Sequence, residues 1–376
     1  MNKRSNFKTL SSTVVLSLIT GSAPTFAQDM GAPTGYLSFG AAYSERYGET
    51  LFASLVEDDF LGTGVGVDVS AQYSQSGYRV SANMDTDIGL SIPGFSADPL
   101  LDVSVYLDDH AWQGSAYNSK RTGIDANLVF PAGQNTIASL GVFFYDETIS
   151  NVDANTSVLV LPGQQATAGA QLGLHYSTLD SPIHPSSGVS AGMSALYAGL
   201  GGDTNWTSLT ANGSVYQRLP MNGVAKVHAI AGQMRSLNGD AISITERAFL
   251  GNDLPRGFAH GGLGPRDDDG ANVNTSLGGE SYAAISVQAD FPMFETSLGA
   301  VYGGLFWDGG SVWNLSGNPI GNSGVIDDAM YWRASYGVSV SWVGNMGQVS
   351  LSIADPYQAQ AGDITQPLSV SFSATF

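Results

Sequence analysis

Arg256 is the side chain in this sequence best placed for electrostatic work. It sits in Leu254-Pro255-Arg256-Gly257-Phe258, followed by Gly262-Leu263-Gly264-Pro265-Arg266. Pro and Phe restrict such a segment while Gly permits a tight turn, so it reads as a folded loop rather than a loose one. It lies within Leu237 to Asn274, the longest part of the chain without alternation. A long loop in a compact protein is uncommon and is usually functional. A guanidinium drawn out of water needs an anionic partner, and the strands that follow supply two, Asp290 and Asp308. An Arg fork can engage both. The chemistry expected is a clamp that locks the loop through Arg256, Gly257 and Phe258. No catalytic constellation accompanies it, and the chain does not read as an enzyme. The five His are scattered without metal-ligand spacing, so neither a metal nor another cofactor is expected. Asp267-Asp268-Asp269 could collect a divalent cation, but a solvated acidic loop tip is the simpler reading. Gly62-Thr63-Gly64-Val65-Gly66 leads into a strand and not a helix, which excludes a phosphate cradle.

The elements around the clamp must be strands. Ile285, Val287, Ala289 and Phe291 form one apolar set, which puts Ser286, Gln288 and Asp290 on the opposite face. Val301, Leu305 and Trp307 likewise place Tyr302, Phe306 and Asp308 opposite. Both acids therefore point the same way from neighbouring strands. The same period of two recurs along the chain. Leu368, Val370, Phe372, Ala374 and Phe376 alternate with Ser and Thr, and Ala334, Tyr336, Val338, Val340 and Trp342 alternate with Ser335, Gly337, Ser339 and Ser341. A soluble sandwich also alternates. Here the apolar face is nearly free of charge from end to end, as lipid demands, and Ser, Gly and Asn dominate the other face.

Composition agrees. Lys3, Arg4 and Lys8 precede the apolar run Val14 to Ile19 and then Ala23-Pro24-Thr25-Phe26-Ala27, the pattern of a secretory signal over residues 1–27. Residues 28–376 then form one β domain. The chain has no Cys, 47 Gly, 12% charged residues and a net charge of -19, which argues against a nucleic-acid partner. No segment reaches the roughly 18 apolar residues of a membrane helix. An exported chain of this kind is expected to be an all-β, closed antiparallel transmembrane barrel in the outer membrane of a Gram-negative bacterium, with lipid as a partner.

About sixteen strands are expected, at 35–44, 49–56, 63–75, 77–86, 100–109, 120–130, 136–147, 165–177, 187–199, 204–217, 224–235, 278–291, 297–308, 330–343, 347–354 and 366–376. Span 224–235 is the weakest, because Lys226 and His228 break its apolar face. Tight turns at Pro131–Asn135, Leu219–Gly223 and Gly344–Gly347 would be periplasmic, with 85–99 a longer exception on that side. Connections near 148–164, 236–277, 309–329 and 355–365 would be extracellular. Trp307, Trp313, Trp332 and Trp342 fit an interfacial girdle.

These motifs resemble the barrel of BamA/TamA-type outer-membrane assembly proteins, the bacterial surface antigen family. Arg256-Gly257-Phe258 with Gly264-Pro265 resembles the family's inward-folded sixth extracellular loop. Leu305-Phe306-Trp307-Asp308-Gly309-Gly310-Ser311-Val312-Trp313 resembles its F-x-D-x-G-x-V-W strand end, and Arg333 to Trp342 its next hairpin. Weaker similarity covers Gly35–Gly40, Asp59–Gly64 and Asp180–Gly188, and so nearly the whole mature chain. Pro255 stands where the family more often has an apolar residue or Arg. The resemblance implies that the loop Arg pairs with acids in the lumen, which fall on Asp290 and Asp308, and that Phe372 and the terminal Phe376 belong to an insertion signal. It implies insertion or assembly of outer-membrane proteins, or local membrane remodelling, beside a weak seam between the first and last strands. Only Gln28 to about Thr34 separates the signal from the first strand, so the POTRA repeats of the family are expected to be lacking. A separate periplasmic or lipoprotein partner would then be needed. The alternative is a barrel that assembles nothing, serving as a transport pore or a structural partner.

Overall fold

The computed structural model describes residues 35–375 except 45–46, 90–97, 112–115, 182–183, 298, 318 and 345–346. The expected signal segment 1–27 and Phe376 lie outside the described residues. Sixteen antiparallel strands close into a barrel. They are β1 (Gly35–Ser44), β2 (Gly48–Glu57), β3 (Val65–Ser74), β4 (Gly77–Asp87), β5 (Leu100–His110), β6 (Asn118–Pro131), β7 (Thr136–Ser150) and β8 (Gly163–Ser177). Then come β9 (Gly188–Gly202), β10 (Trp206–Arg218), β11 (Val224–Ser236), β12 (Ser281–Thr296), β13 (Gly299–Trp313), β14 (Arg333–Gly344), β15 (Gly347–Gln358) and β16 (Leu368–Thr375). No described helix is long and apolar enough to cross a membrane, and the chain crosses with strands, whose ladders pair the backbone groups that lipid cannot.

The period of two decides the facing. Leu37, Phe39, Leu51, Leu55, Tyr73, Leu172, Leu305 and Val338 are exposed on the outside, where lipid covers them. Ser339 is buried on the lumen side, between exposed Val338 and Val340. In β11 the outward residues are Val227, Ala229 and Ala231. Lys226 and His228 thus do not break the apolar face; they point inward, with His228 Nδ1 2.8 Å from Ser214 Oγ. Alanine is too short to announce a lipid face.

Several strands overrun their expected ends. β12 continues past Pro292, which is level with Tyr302, to Thr296, with Met293 left out of the register between Pro292 and Phe294. β7, β9 and β13 likewise run on to Ser150, Gly202 and Trp313. The longest connection, residues 237–280 between β11 and β12, is here termed loop 6. Loop 4 is 151–162, loop 7 is 314–332 and loop 8 is 359–367. Loop 6 carries its own short pairs: Arg266–Asp268 with Asn274–Ser276, and Gly257–Phe258 with Thr365–Gln366 of loop 8.

Candidate functional site

Three strands present one row of lumen-facing residues, because Ser286 of β12 is level with Asp308 of β13 and Asp308 with Ser335 of β14. Loop 6 brings Arg256 to that row. Its Nε donates to Asp308 Oδ2 at 2.7 Å and its Nη2 to Oδ1 at 2.9 Å, a two-pronged fork. The Arg256 backbone N–H adds a third bond to Oδ2 at 3.1 Å. Nη1 reaches Gln288 Oε1 at 2.8 Å, and Nη2 reaches Ser286 Oγ at 3.3 Å. Ser335 Oγ donates to the Arg256 carbonyl at 2.5 Å. The guanidinium also lies 3.4 Å from the ring centre of Phe306, a cation–π contact. Asp308 is fully buried and Arg256 is 14% exposed. A buried charge is tolerable when each of its polar atoms is satisfied, and that condition is met here.

Gly257 follows at φ 91, a conformation in which a side chain would be strained, and an added Cβ would come 3.1 Å from that of Ala354. Phe258 is fully buried with Leu250, Leu263, Ala284 and Val312. The Arg thus enters a polar row while its neighbour enters an apolar cluster, which fixes the loop tip in both depth and rotation. Asp290 does not share the fork. It accepts both of its bonds from Gln288 Nε2, at 2.8 and 2.9 Å, and so orients the amide that receives Arg256.

The barrel closes differently at its ends. Among the described residues the β1–β16 ladder covers four positions, Gly40↔Thr375 to Tyr43↔Phe372, whereas β1 pairs with β2 along all of Gly35–Ser44. Phe372 lies on this short ladder and is exposed.

A model of the Omp85 superfamily domain matches residues 38–376. The chain belongs to the Omp85 superfamily. It is 24% identical over 393 residues to the outer membrane protein assembly factor BamA of Neisseria meningitidis serogroup B, covering 91% of this chain and 47% of that one. The chain thus spans about half the length of that curated relative. The crystal structure of BamA from Haemophilus ducreyi lacking POTRA domains 1-3 is similar, with a TM-score of 0.78 at 23% identity over 92% of this chain and 71% of that chain. CdiB from Escherichia coli gives a TM-score of 0.57 at 13% identity, covering 93% and 64%. The protein is an outer-membrane β-barrel of a Gram-negative bacterium.

Loop 6 of this Omp85 barrel is also held on the far wall. Arg121 of β6 pairs with Glu246 of the loop and, at 3.1 Å, with Glu147 of β7. Thr245 Oγ1 donates to Glu147 Oε2 at 2.5 Å. The guanidinium of Arg121 lies 4.3 Å from the ring centre of Tyr145. Burial lowers the pKa of Arg247, the next residue of the loop, which donates to the carbonyls of Ile242 and Leu277. The loop therefore spans the lumen from β6–β7 to β13.

Asp267 corrects the reading of the acidic triplet as solvated. Asp268 and Asp269 are exposed, but Asp267 is fully buried. Its carboxylate accepts from Ser157 Oγ of loop 4 at 2.5 Å and from the backbone N–H groups of Asn322 and Ser323 of loop 7 at 2.8 and 2.9 Å. Burial alone would raise its pKa, but these donors outweigh burial and hold it below the usual carboxylate range. One carboxylate thus ties three extracellular loops into a cap. The sequence held no signal for this role, since Ser157, Asn322 and Ser323 are far away along the chain and ordinary in type.

Proposed function

We propose that this barrel inserts or assembles other outer-membrane proteins at the seam between β1 and β16, in concert with a periplasmic or lipoprotein partner. The observation that carries the reading is the ladder of four described positions at Gly40–Tyr43 in a wall whose other strands pair along most of their length. A short ladder opens more easily than a long one, and an opened edge offers unpaired N–H and C=O groups to an incoming strand. The relative named as an assembly factor supports the same direction. In this reading Arg256, Gly257, Phe258 and Asp308 lock loop 6 inside the lumen, with Asp290 acting through Gln288. The lock braces β12–β14 while the seam yields. Phe372 and Phe376 belong to the signal by which the chain itself is inserted. A lumen crossed by loop 6 and capped through Asp267 favours this over an open transport pore.

The test bridges the seam. Cysteines at the register partners Ala41 and Ala374 should form a disulfide under oxidation, since paired strand positions fall within the Cα separation that a disulfide spans. With this copy as the sole source of the protein, oxidation should lower the outer-membrane content of other barrels, and reductant should restore it. A control pair at Ala82 and Val105, partners across β4–β5, should have no such effect. An outer-membrane proteome unchanged both by bridging the seam and by depleting the protein would overturn the assembly role.

A further inference from the structure

Most basic side chains described in this barrel are committed to contacts. Arg79, Arg121, Arg218, Arg256 and Arg333 pair with carboxylates. Arg247 and Arg266 bond carbonyls, and Lys226 lies over Tyr216. Among the described residues, Lys120 and Arg235 stand apart, both exposed on the outer face. Lys120 has an acid, Asp109, directly opposite on β5. The partner of Arg235 across β10–β11 is Thr207. Arg235 thus offers the outer face of a chain with net charge -19 a cation with no carboxylate opposite it.

The surface beside Arg235 is not flat. A shallow, open depression of about 430 Å³ lies along the outside of β8–β11. Ala170, Ala195 and Thr207 are its small members, Leu172, Tyr197 and Leu209 its large ones, and Gln233 and Arg235 close one side. The register explains the shape. Tyr197 is level with Ala170 and Thr207, and Leu209 with Ala195 and Gln233, so small and large residues alternate across the strands. Above it, the β8–β9 register shifts between Ala168 and Gly169, bending the wall. Tyr197 leans over Gly199 at that bulge, where an added Cβ would come 2.9 Å from the Tyr hydroxyl. Arg235 is the penultimate residue of β11 before loop 6, and Thr207 the second of β10 after its extracellular turn. The groove thus sits in the outer-leaflet half of the wall, with its polar groups at the headgroup level. There an Arg is far better tolerated than at the midplane and can meet a headgroup.

We propose that this groove binds a phosphorylated glycolipid of the outer leaflet. One acyl chain lies over Ala170 and Ala195, and a phosphate is held by Arg235 with Gln233 and the Tyr197 hydroxyl as further donors. Arg235 and Tyr197 are two strands apart, roughly 10 Å, a span that a phosphosugar headgroup covers and a lone phosphate does not.

Native mass spectrometry of the full barrel in detergent tests this, with bisphosphorylated hexa-acyl lipid A and the same lipid stripped of phosphate as probes. Arg235→Gln should weaken binding of the phosphorylated lipid about ten-fold. Ala195→Leu, which fills the groove, should weaken both lipids. Lys120→Gln should change neither. Unaltered heat-modifiable mobility will show that each variant folds. Equal binding by Arg235→Gln and the unmodified protein would overturn the site. So would equal binding of the two lipids, or a loss with Lys120→Gln as large as with Arg235→Gln.

Discussion

The wall made by β12, β13 and β14 and the seam between β1 and β16 are separated by a single strand, β15, yet they are held by different means. In the wall, β12–β13 pair from Ser281↔Trp313 to Thr296↔Gly299. Loop 6 then adds a charged clamp across Ser286, Asp308 and Ser335. At the seam the described backbone ladder covers Gly40–Tyr43. Ladder strength grows with length, because each added pair is fixed by its neighbours, whereas a clamp resists sliding and bending at one depth. The proposed opening at the seam would draw on that asymmetry. Side chains crossing the lumen stiffen the wall of β12, β13 and β14.

The largest expected effect comes from removing the clamp. Taking one partner from a buried pair costs about 3–5 kcal/mol, somewhat less in a wet lumen. Arg256→Ala should free loop 6 without unpairing the strands, so external protease should cut between Leu254 and Arg266 while the barrel still resists heat in mild detergent. Arg256→Lys should rescue poorly, since an ammonium cannot make the fork. Asp308→Asn should behave like Arg256→Ala, and Asp290→Asn far more mildly, because it loosens only Gln288. If the two Asp variants release the loop equally, the clamp is not organised as the hydrogen bonds imply.

That difference between the two acids marks where sequence reading ends. Parity put both in the lumen, and period two is a local property. Register is not. Ser286 is level with Asp308, so Asp290, four residues further along β12, lies roughly 13 Å away along the strand. One guanidinium cannot fork over that distance. Strand number and facing were legible for the same local reason, since lipid imposes its pattern on every strand. The facing of β11 was not, because Ala229 and Ala231 are apolar without being large. The cap at Asp267 was invisible, because a carboxylate that gathers N–H donors from other loops has no signature in its own neighbours.

The wall can also be challenged from outside. Val340→Arg places a charge among lipid-facing Val338 and Tyr336 and should cost about 2–4 kcal/mol near mid-membrane. Ser339→Arg, one residue away and inward, should be better tolerated. Equal loss of heat-modifiable mobility in the two would contradict the facing of β14. A smaller effect is expected at the seam, where Phe372→Ala removes an exposed aromatic opposite Tyr43. Barrel stability should fall little while the yield of assembled protein falls clearly, and full yield would remove Phe372 from the insertion signal.

The smallest effect concerns the cap, which belongs to neither wall nor seam and so separates loop order from strand order. The donors around Asp267 hold its pKa below the ordinary value. A carboxylate depressed in the folded state contributes stability that is present above its unfolded pKa, near 3.9, and lost as pH falls through the folded value. Between pH 7 and 5 the link from loop 6 to loops 4 and 7 should therefore be intact. Below about pH 4 it should weaken as the protonated oxygen faces the N–H groups of Asn322 and Ser323. The protection of those two amides, taken relative to their intrinsic exchange rates at each pH, should fall over that window, and that of the strand amides of β12 and β13 should not follow. Asp267→Asn should show the fast exchange already at pH 7, because an amide offers only one oxygen to three donors. If the strand amides loosen together with the loop amides, cap and wall form one cooperative unit, and the contrast between a braced wall and a separately tied cap does not hold.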